Sequence, residues 1–303
     1  MKNWAWLSFT ACGIGLLLCG CGGGSTPAVV SPLAGNWLLA GPMPTDGITF
    51  PPSSPPSTGV RLAMTFDVKG DQVSAGGFGN NFCDNVQAAF NFLGVAGGTI
   101  AKDGSFTTTS ANSPFSTVSI KGTAPQKNGA PWSGSYTVSL GGNAPACDAN
   151  LSGTFTATSF PLVSGVYVGT GSAQAGSNGA LNAVPVTLQV TLQQGGTVTN
   201  PGNGAASNYF SNVLLTGNIK VQGSPCFSSG ATQSTPASGV TGNMVIARFL
   251  MDDGSTLSLV GSLTDVTEGH ISTSDILVQG GNCGGPTHGL PNVIIVSGLD
   301  RQS

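Results

Sequence analysis

Hydrophobic residues recur at every second position in several stretches of this chain. Leu62, Met64, Phe66 and Val68 alternate with Ala63, Thr65 and Asp67. Val186, Leu188, Val190 and Leu192 alternate with Thr187, Gln189 and Thr191, and Val213, Leu215, Gly217, Ile219 and Val221 continue the pattern. Val118/Ile120 and Tyr136/Val138/Leu140 are shorter cases. A period of two sets one buried face against one wet face, which is the signature of a β-strand. The wet positions are mostly Thr, Ser and Gln, which suit a pleated surface. Turn residues punctuate these runs at Lys102-Asp103-Gly104, Thr241-Gly242-Asn243 and Asp252-Asp253-Gly254. Together they predict an all-β, antiparallel meander. A closed up-and-down barrel and a two-sheet sandwich satisfy the period equally, and closure removes exposed edges.

The pattern occurs twice. Ser116–Gly122 (STVSIKG) matches Ser255–Gly261 (STLSLVG), and Ser133-Gly134-Ser135 corresponds to Ser272-Thr273-Ser274. A Gly-Gly-Asn turn follows in each half, at Gly141-Gly142-Asn143 and Gly280-Gly281-Asn282, and then a cysteine, Cys147 or Cys283. Upstream, Leu33-Ala34-Gly35-Asn36-Trp37 parallels Val163-Ser164-Gly165-Val166-Tyr167. Landmarks in one order at comparable spacing indicate a tandem duplication. The expected organisation is a β domain over 33–160 and a second over 161–303, each of about seven to nine strands.

Composition fits this reading. Charged residues make up 7% of the 303, and there are 47 glycines and 19 prolines. With so little Glu, Lys and Arg, helices are disfavoured. The net charge of −3 and the lack of a basic cluster argue against a nucleic-acid partner.

Residues 1–20 read as a secretory signal, with Lys2 before an apolar stretch from Trp4 to Leu18. The stretch ends in Leu18-Cys19-Gly20-Cys21, which resembles the bacterial lipobox. That resemblance implies a diacylated Cys21 at the mature N-terminus, anchored in a membrane. Gly22 in place of Asp after the cysteine is similar to the sorting signal for the outer membrane of Gram-negative bacteria. Acyl chains contribute about 0.8 kcal/mol per buried CH₂, and several on one residue hold durably. Residues 21–32 form a short Gly/Ser/Pro-containing tether. The opening Gly-x-Trp, Gly35 and Trp37, resembles the first motif of lipocalins, whose barrels carry small apolar ligands. As a whole the chain resembles the Gly/Ser/Thr-rich β lipoproteins of soil bacteria, which implies location and fold but no activity.

Of seven cysteines, Cys12 and Cys19 leave with the signal and Cys21 takes lipid, leaving Cys83, Cys147, Cys226 and Cys283. Four cysteines allow three pairings. The duplication selects Cys83–Cys147 and Cys226–Cys283, because equivalent positions then pair within each domain. Export places them in an oxidising compartment. Each bridge closes a loop of roughly 60 residues, worth about 4 kcal/mol in the chain-entropy model.

Catalytic motifs are missing. There is no Gly-x-Ser-x-Gly. The two histidines, His270 and His288, have no equivalents in the first half and read as loop residues. A zinc site from His270, His288 and Asp275 lacks a short ligand spacing. Asp252-Asp253-Gly254 lacks the alternating oxygen ligands and terminal Glu of a calcium loop. The only Glu is Glu268, which leaves little for paired-carboxylate chemistry. No enzyme activity, metal or cofactor is expected. Trp37, Trp132, Tyr136, Tyr167 and Tyr209 are the candidates for ligand contact, by sugar stacking or barrel lining, against a plain role in the core. Trp132 follows Asn128-Gly129-Ala130-Pro131 and is expected to be the most exposed of them. The expected function is a lipid-anchored binding or scaffolding module. Its partner is a glycan, a small apolar ligand or an envelope protein; the alternatives are a lipocalin-like carrier and an envelope hydrolase.

Overall fold

The computed structural model describes residues 31–42, 59–80, 90–110, 116–140, 150–177, 180–195, 213–233, 238–264, 266, 269–281 and 292–302. Every regular element among them is a strand. The first sheet holds β1 (Gly35–Gly41), β2 (Val60–Lys69), β3 (Gln72–Asn80), β4 (Phe90–Ile100), β5 (Ser105–Ser110), β6 (Ser116–Thr123), β7 (Trp132–Leu140) and β8 (Asn150–Phe160). Each pairs antiparallel with the next, and β1 pairs with β8, so the sheet closes into an up-and-down barrel. Closure leaves no free edge.

The second sheet is built from β9 (Ser164–Ser177), β10 (Ala180–Gln194), β11 (Leu215–Gln222), β12 (Ser229–Thr232), β13 (Gly239–Thr241), β14 (Met244–Met251), β15 (Thr256–Leu263), β16 (Ile271–Gln279), β17 (Asn292–Val296) and β18 (Asp300–Arg301). Two of its positions are interrupted strands. β12 and β13 pair with opposite halves of β14, and β17 and β18 pair with successive parts of β9. With β9 also paired to β10, the ring closes over eight positions, the same number and order as in the first barrel.

The sequence landmarks fall at equivalent places. Ser116–Gly122 lies on β6 and Ser255–Gly261 runs onto β15; Ser133–Ser135 lies on β7 and Ser272–Ser274 on β16. The strand openings agree in backbone as well. Gly35 and Gly165 have φ of +126° and +124°, and Leu33 and Val163, two residues earlier, are both fully buried. A residue with a Cβ is strained at such angles, at about 1–3 kcal/mol. A Cβ on Gly35 meets nothing within 4 Å, so backbone strain alone sets the cost. Gly35→Ala is therefore expected to destabilise by about 1–2 kcal/mol in urea titration. An unchanged midpoint would show that the angle carries no cost.

Both interiors are apolar. The first is filled by residues including Trp37, Leu62, Met64, Phe66, Phe106, Ile120, Trp132, Tyr136 and Phe155, the second mainly by Val, Leu and Ile with Phe249 and Tyr167. Glycines make room for the rings of the first barrel. A Cβ on Gly122 stands 2.6 Å from the Trp132 ring, one on Gly134 2.7 Å from Phe155, and one on Gly153 2.8 Å from the Tyr136 hydroxyl. Rings laid over strand glycines restore the packing that glycine lacks.

The alternation of β2 departs from expectation. Ala63 and Thr65 point outward, yet both are buried. The cause is the second barrel, whose β13–β14 turn sits on this wall. A Cβ on Gly242 stands 2.5 Å from the Trp37 carbonyl oxygen and 2.7 Å from the Ala63 Cα. A polar network seals the contact. Asn36 Nδ2 donates to Gln194 Oε1 (2.9 Å) and Gln194 Nε2 donates to Asn36 Oδ1 (2.8 Å). The Val163 N–H donates to the same Gln194 Oε1 at 2.9 Å. The Thr65 hydroxyl lies 2.9 Å from Asn36 Oδ1 and 3.2 Å from the Val240 carbonyl oxygen, and accepts from the Gly242 N–H at 3.1 Å. Residues Ser31–Ser303 thus form one compact unit containing both barrels.

Candidate functional site

The strand directions give each barrel two distinct rims. At the lower rim of the first barrel, β2–β3 and β4–β5 are joined by tight turns and β6–β7 by residues 124–131. Leu33 closes this rim, and the Trp37 indole N–H donates to its carbonyl oxygen at 2.8 Å. Above it lies an aromatic cluster. Trp132 meets Trp37, Phe66, Phe106 and Phe155 edge to face, with ring centroids 5.9, 5.9, 5.4 and 5.1 Å away. Such contacts are favoured by the ring quadrupoles. Trp132 is the most exposed of the described candidates, as its place beside a loop suggests, but at 5% it is a core residue, because its ring turns inward over Gly122.

Small residues share the inner wall with the large ones up to the upper rim. Ala75, Gly77 and Gly79 pair with Phe66, Met64 and Leu62, and Ala96, Thr108, Ser110 and Gly153 line it further round. Thr108 pairs with Ile120, and Ile120 with Tyr136, so the three form one level of the barrel. The Ser110 hydroxyl accepts from the Val118 N–H at 2.8 Å. Thr108 Oγ1, Tyr136 Oη and Trp132 Nε1 are buried and have no hydrogen-bond partner in the protein. Burial pushes the Tyr136 phenol up to about 12, so it stays protonated and able to donate. None of the buried polar residues among those described is charged. The connections at this rim span 42–59, 81–89, 111–115 and 141–149.

The second barrel differs inside. Its level corresponding to Thr108–Ile120–Tyr136 is Ala247–Leu259–Ile276, all buried. Tyr167, at the place of Trp37, is buried, and its phenol is raised mainly by desolvation; the nearby Arg301 charge and a hydrogen bond with the Ser164 backbone oppose the shift. The Thr273 hydroxyl is satisfied by the Val296 carbonyl oxygen at 3.0 Å. The candidate aromatics Trp37, Trp132, Tyr136 and Tyr167 therefore all face barrel interiors.

The cysteine-bearing connections share one rim in each barrel. Cys83 falls between β3 and β4 and Cys147 between β7 and β8; Cys226 and Cys283 occupy the equivalent connections of the second barrel. Cys226 is disulfide-bonded, and its partner lies outside the described residues. Cys21, Cys83, Cys147, Cys283, Tyr209 and His288 also lie outside them, as do the signal segment 1–20 and most of the tether 21–32.

The segment carrying Cys226 is capped by Asp252. The Ser228 N–H lies 3.0 and 3.1 Å from the two Asp252 carboxylate oxygens, and the Ser228 hydroxyl donates to Oδ2 at 2.5 Å. The hydroxyl bond, then the N–H bond, hold the Asp252 carboxyl below its ordinary 3.8. A depressed carboxylate stabilises fully above its ordinary value and loses that contribution as pH falls through the folded value. Exchange protection of the Ser228 amide is thus expected to stay level from neutral pH to about 4.5 and to drop below 3.8. Asp252→Asn should remove this pH dependence, and a flat profile in the unmodified protein would contradict it.

His270 Nδ1 lies 2.6 Å from Asp300 Oδ1, both at the surface. Thirty positions separate them in the sequence, which hid the pair until β18 was placed beside β9. No group of three His, Cys, Asp or Glu able to hold a metal ion occurs among the described residues. A shallow groove of about 470 Å³ lies on the outer wall of the first barrel, between Pro42, Ser133, Thr154 and Thr156. No protein-family model, curated protein or solved structure matches this chain.

Proposed function

We propose that this is an exported, non-enzymatic binding protein, held in the outer membrane through a diacylated Cys21, with the first barrel as its small-molecule compartment. One observation carries the reading. Three polar atoms buried inside the first barrel, Thr108 Oγ1, Tyr136 Oη and Trp132 Nε1, have no partner in the protein, and among the described residues the second barrel has none. An eight-stranded barrel is just wide enough to be filled by side chains or to hold one small ligand. Here the unpaired atoms face the interior and call for a partner inside it. That arrangement favours the lipocalin-like carrier over a sugar platform, because the aromatic residues proposed for stacking are turned away from solvent. The second barrel, filled mainly with aliphatic side chains and packed against the first, serves as its support.

Two experiments test this. Mass spectrometry of the mature protein from envelopes should find diacylglycerol on Cys21, and Cys21→Ser should release the protein from the membrane fraction. Native mass spectrometry should find a bound small molecule that leaves on denaturation. An unmodified Cys21 overturns the anchoring, and a protein isolated repeatedly without any small molecule overturns the carrier.

A further inference from the structure

Taking the first barrel as the binding compartment, we infer that it selects an uncharged, mainly apolar molecule with one hydrogen-bond acceptor, such as a ketone, ester or ether oxygen. That oxygen takes the hydroxyl proton of Tyr136 or of Thr108 at mid-barrel.

The two hydroxyls are fully enclosed, at 2% and 0% exposure, and neither has a partner. A buried polar group left unpaired is costly, and native proteins rarely tolerate it without a water or ligand. Their residues belong to one row of paired positions, Thr108–Ile120–Tyr136, and the phenol lies over Gly153 on the next strand. The phenol stays protonated because burial disfavours the phenolate. Trp132 Nε1, the third unpaired atom, can only donate. An acceptor is the one group able to pair with all three. Its remaining wall, with Leu62, Met64, Val118 and Ile120, is apolar. With no charged side chain buried among the described residues, nothing there offsets the desolvation of an ionised ligand.

The second barrel supplies a control within the same molecule. It has the same eight-position order, but Ala247 stands where the first barrel has Thr108 and Ile276 where it has Tyr136. No buried side-chain polar atom is unpaired there among the described residues. The unpaired hydroxyls thus belong to one copy and not to the architecture.

The test uses the purified protein and four probes of similar length: 2-octanone, octane, octanoate and octylammonium. Binding of the two volatile probes is read by headspace depletion and of the two ions by calorimetry. We expect 2-octanone to bind at least about tenfold more tightly than octane, and the two ions not to bind. Tyr136→Phe and Thr108→Val keep the size of the side chain while removing the hydroxyl. The one whose hydroxyl meets the oxygen should reduce the preference for the ketone about five- to tenfold, and neither should change octane binding. Equal binding of ketone and octane overturns the inference while the compartment stands, as does a preference that survives both substitutions. Failure of every probe to bind overturns the compartment itself.

Discussion

Trp132→Ala is expected to destabilise the first barrel by about 4 kcal/mol, against an order of 5–15 kcal/mol for a whole domain. The ring is 5% exposed and lies within 6 Å of four other aromatic rings, counted between centroids. Its removal forfeits their edge-to-face contacts and opens a void that a closed barrel collapses poorly, because every strand is held on both sides. Trp132→Phe is the informative companion. The indole N–H has no partner, so the smaller ring loses volume but no hydrogen bond. About 1–2 kcal/mol is expected there. Urea titration followed by circular dichroism measures both. A loss below about 1 kcal/mol for the alanine variant would mean that the ring is not the centre of the lower half.

Gln194→Leu is expected to cost about 3–5 kcal/mol and to uncouple the two barrels. Gln194 satisfies both ends of the Asn36 amide and the Val163 N–H, and Asn36 and Gln194 are 1% and 3% exposed. A leucine of similar bulk leaves Asn36 and the Val163 N–H buried with fewer partners, each stranded group costing about 1–3 kcal/mol. Asn36 keeps the Pro161 carbonyl oxygen, 3.1 Å from Nδ2, and the Thr65 hydroxyl, which holds the loss below that of a bare amide. The described tryptophans, Trp37 and Trp132, lie in the first barrel, so tryptophan fluorescence reports that barrel and circular dichroism reports both. In the native protein the two transitions should coincide. In Gln194→Leu they should separate, and transitions that shift little and stay together would contradict the role given to the network.

Much of this architecture was legible because a period of two depends only on which side of a strand meets the core. Leu62, Met64, Phe66, Val186, Leu188, Val190 and Leu192 are all buried as their spacing predicts. The paired landmarks fell on equivalent strands because each occupies a structural point: Gly35 and Gly165 open the first strand of each ring, and the Ser-rich runs start its sixth position. Closure was not legible, since a sandwich and a barrel share the same alternation. Nor was the contact between the barrels. Ala63 and Thr65 look like ordinary wet positions, and only the arrival of Gly242 and Val240 on that wall buries them.

The candidate site was half visible. Trp37, Trp132 and Tyr136 stand out as large residues in a Gly- and Thr-rich chain. Thr108 does not, because it is one of four hydroxyl residues in the run Thr107-Thr108-Thr109-Ser110. What marks it is its inward place on β5, level with Tyr136, and that requires the register through β6. The breaks that split β12 from β13 and β17 from β18 were also hidden, since each partner edge is continuous.

We propose that one exported barrel was copied, each copy joining its own upper-rim connections with its own cystine. Peptide mapping of the unreduced protein tests it most directly. The account expects two cross-linked peptides, Cys83 with Cys147 and Cys226 with Cys283. A cystine running from one barrel to the other, such as Cys83 with Cys226, would contradict it.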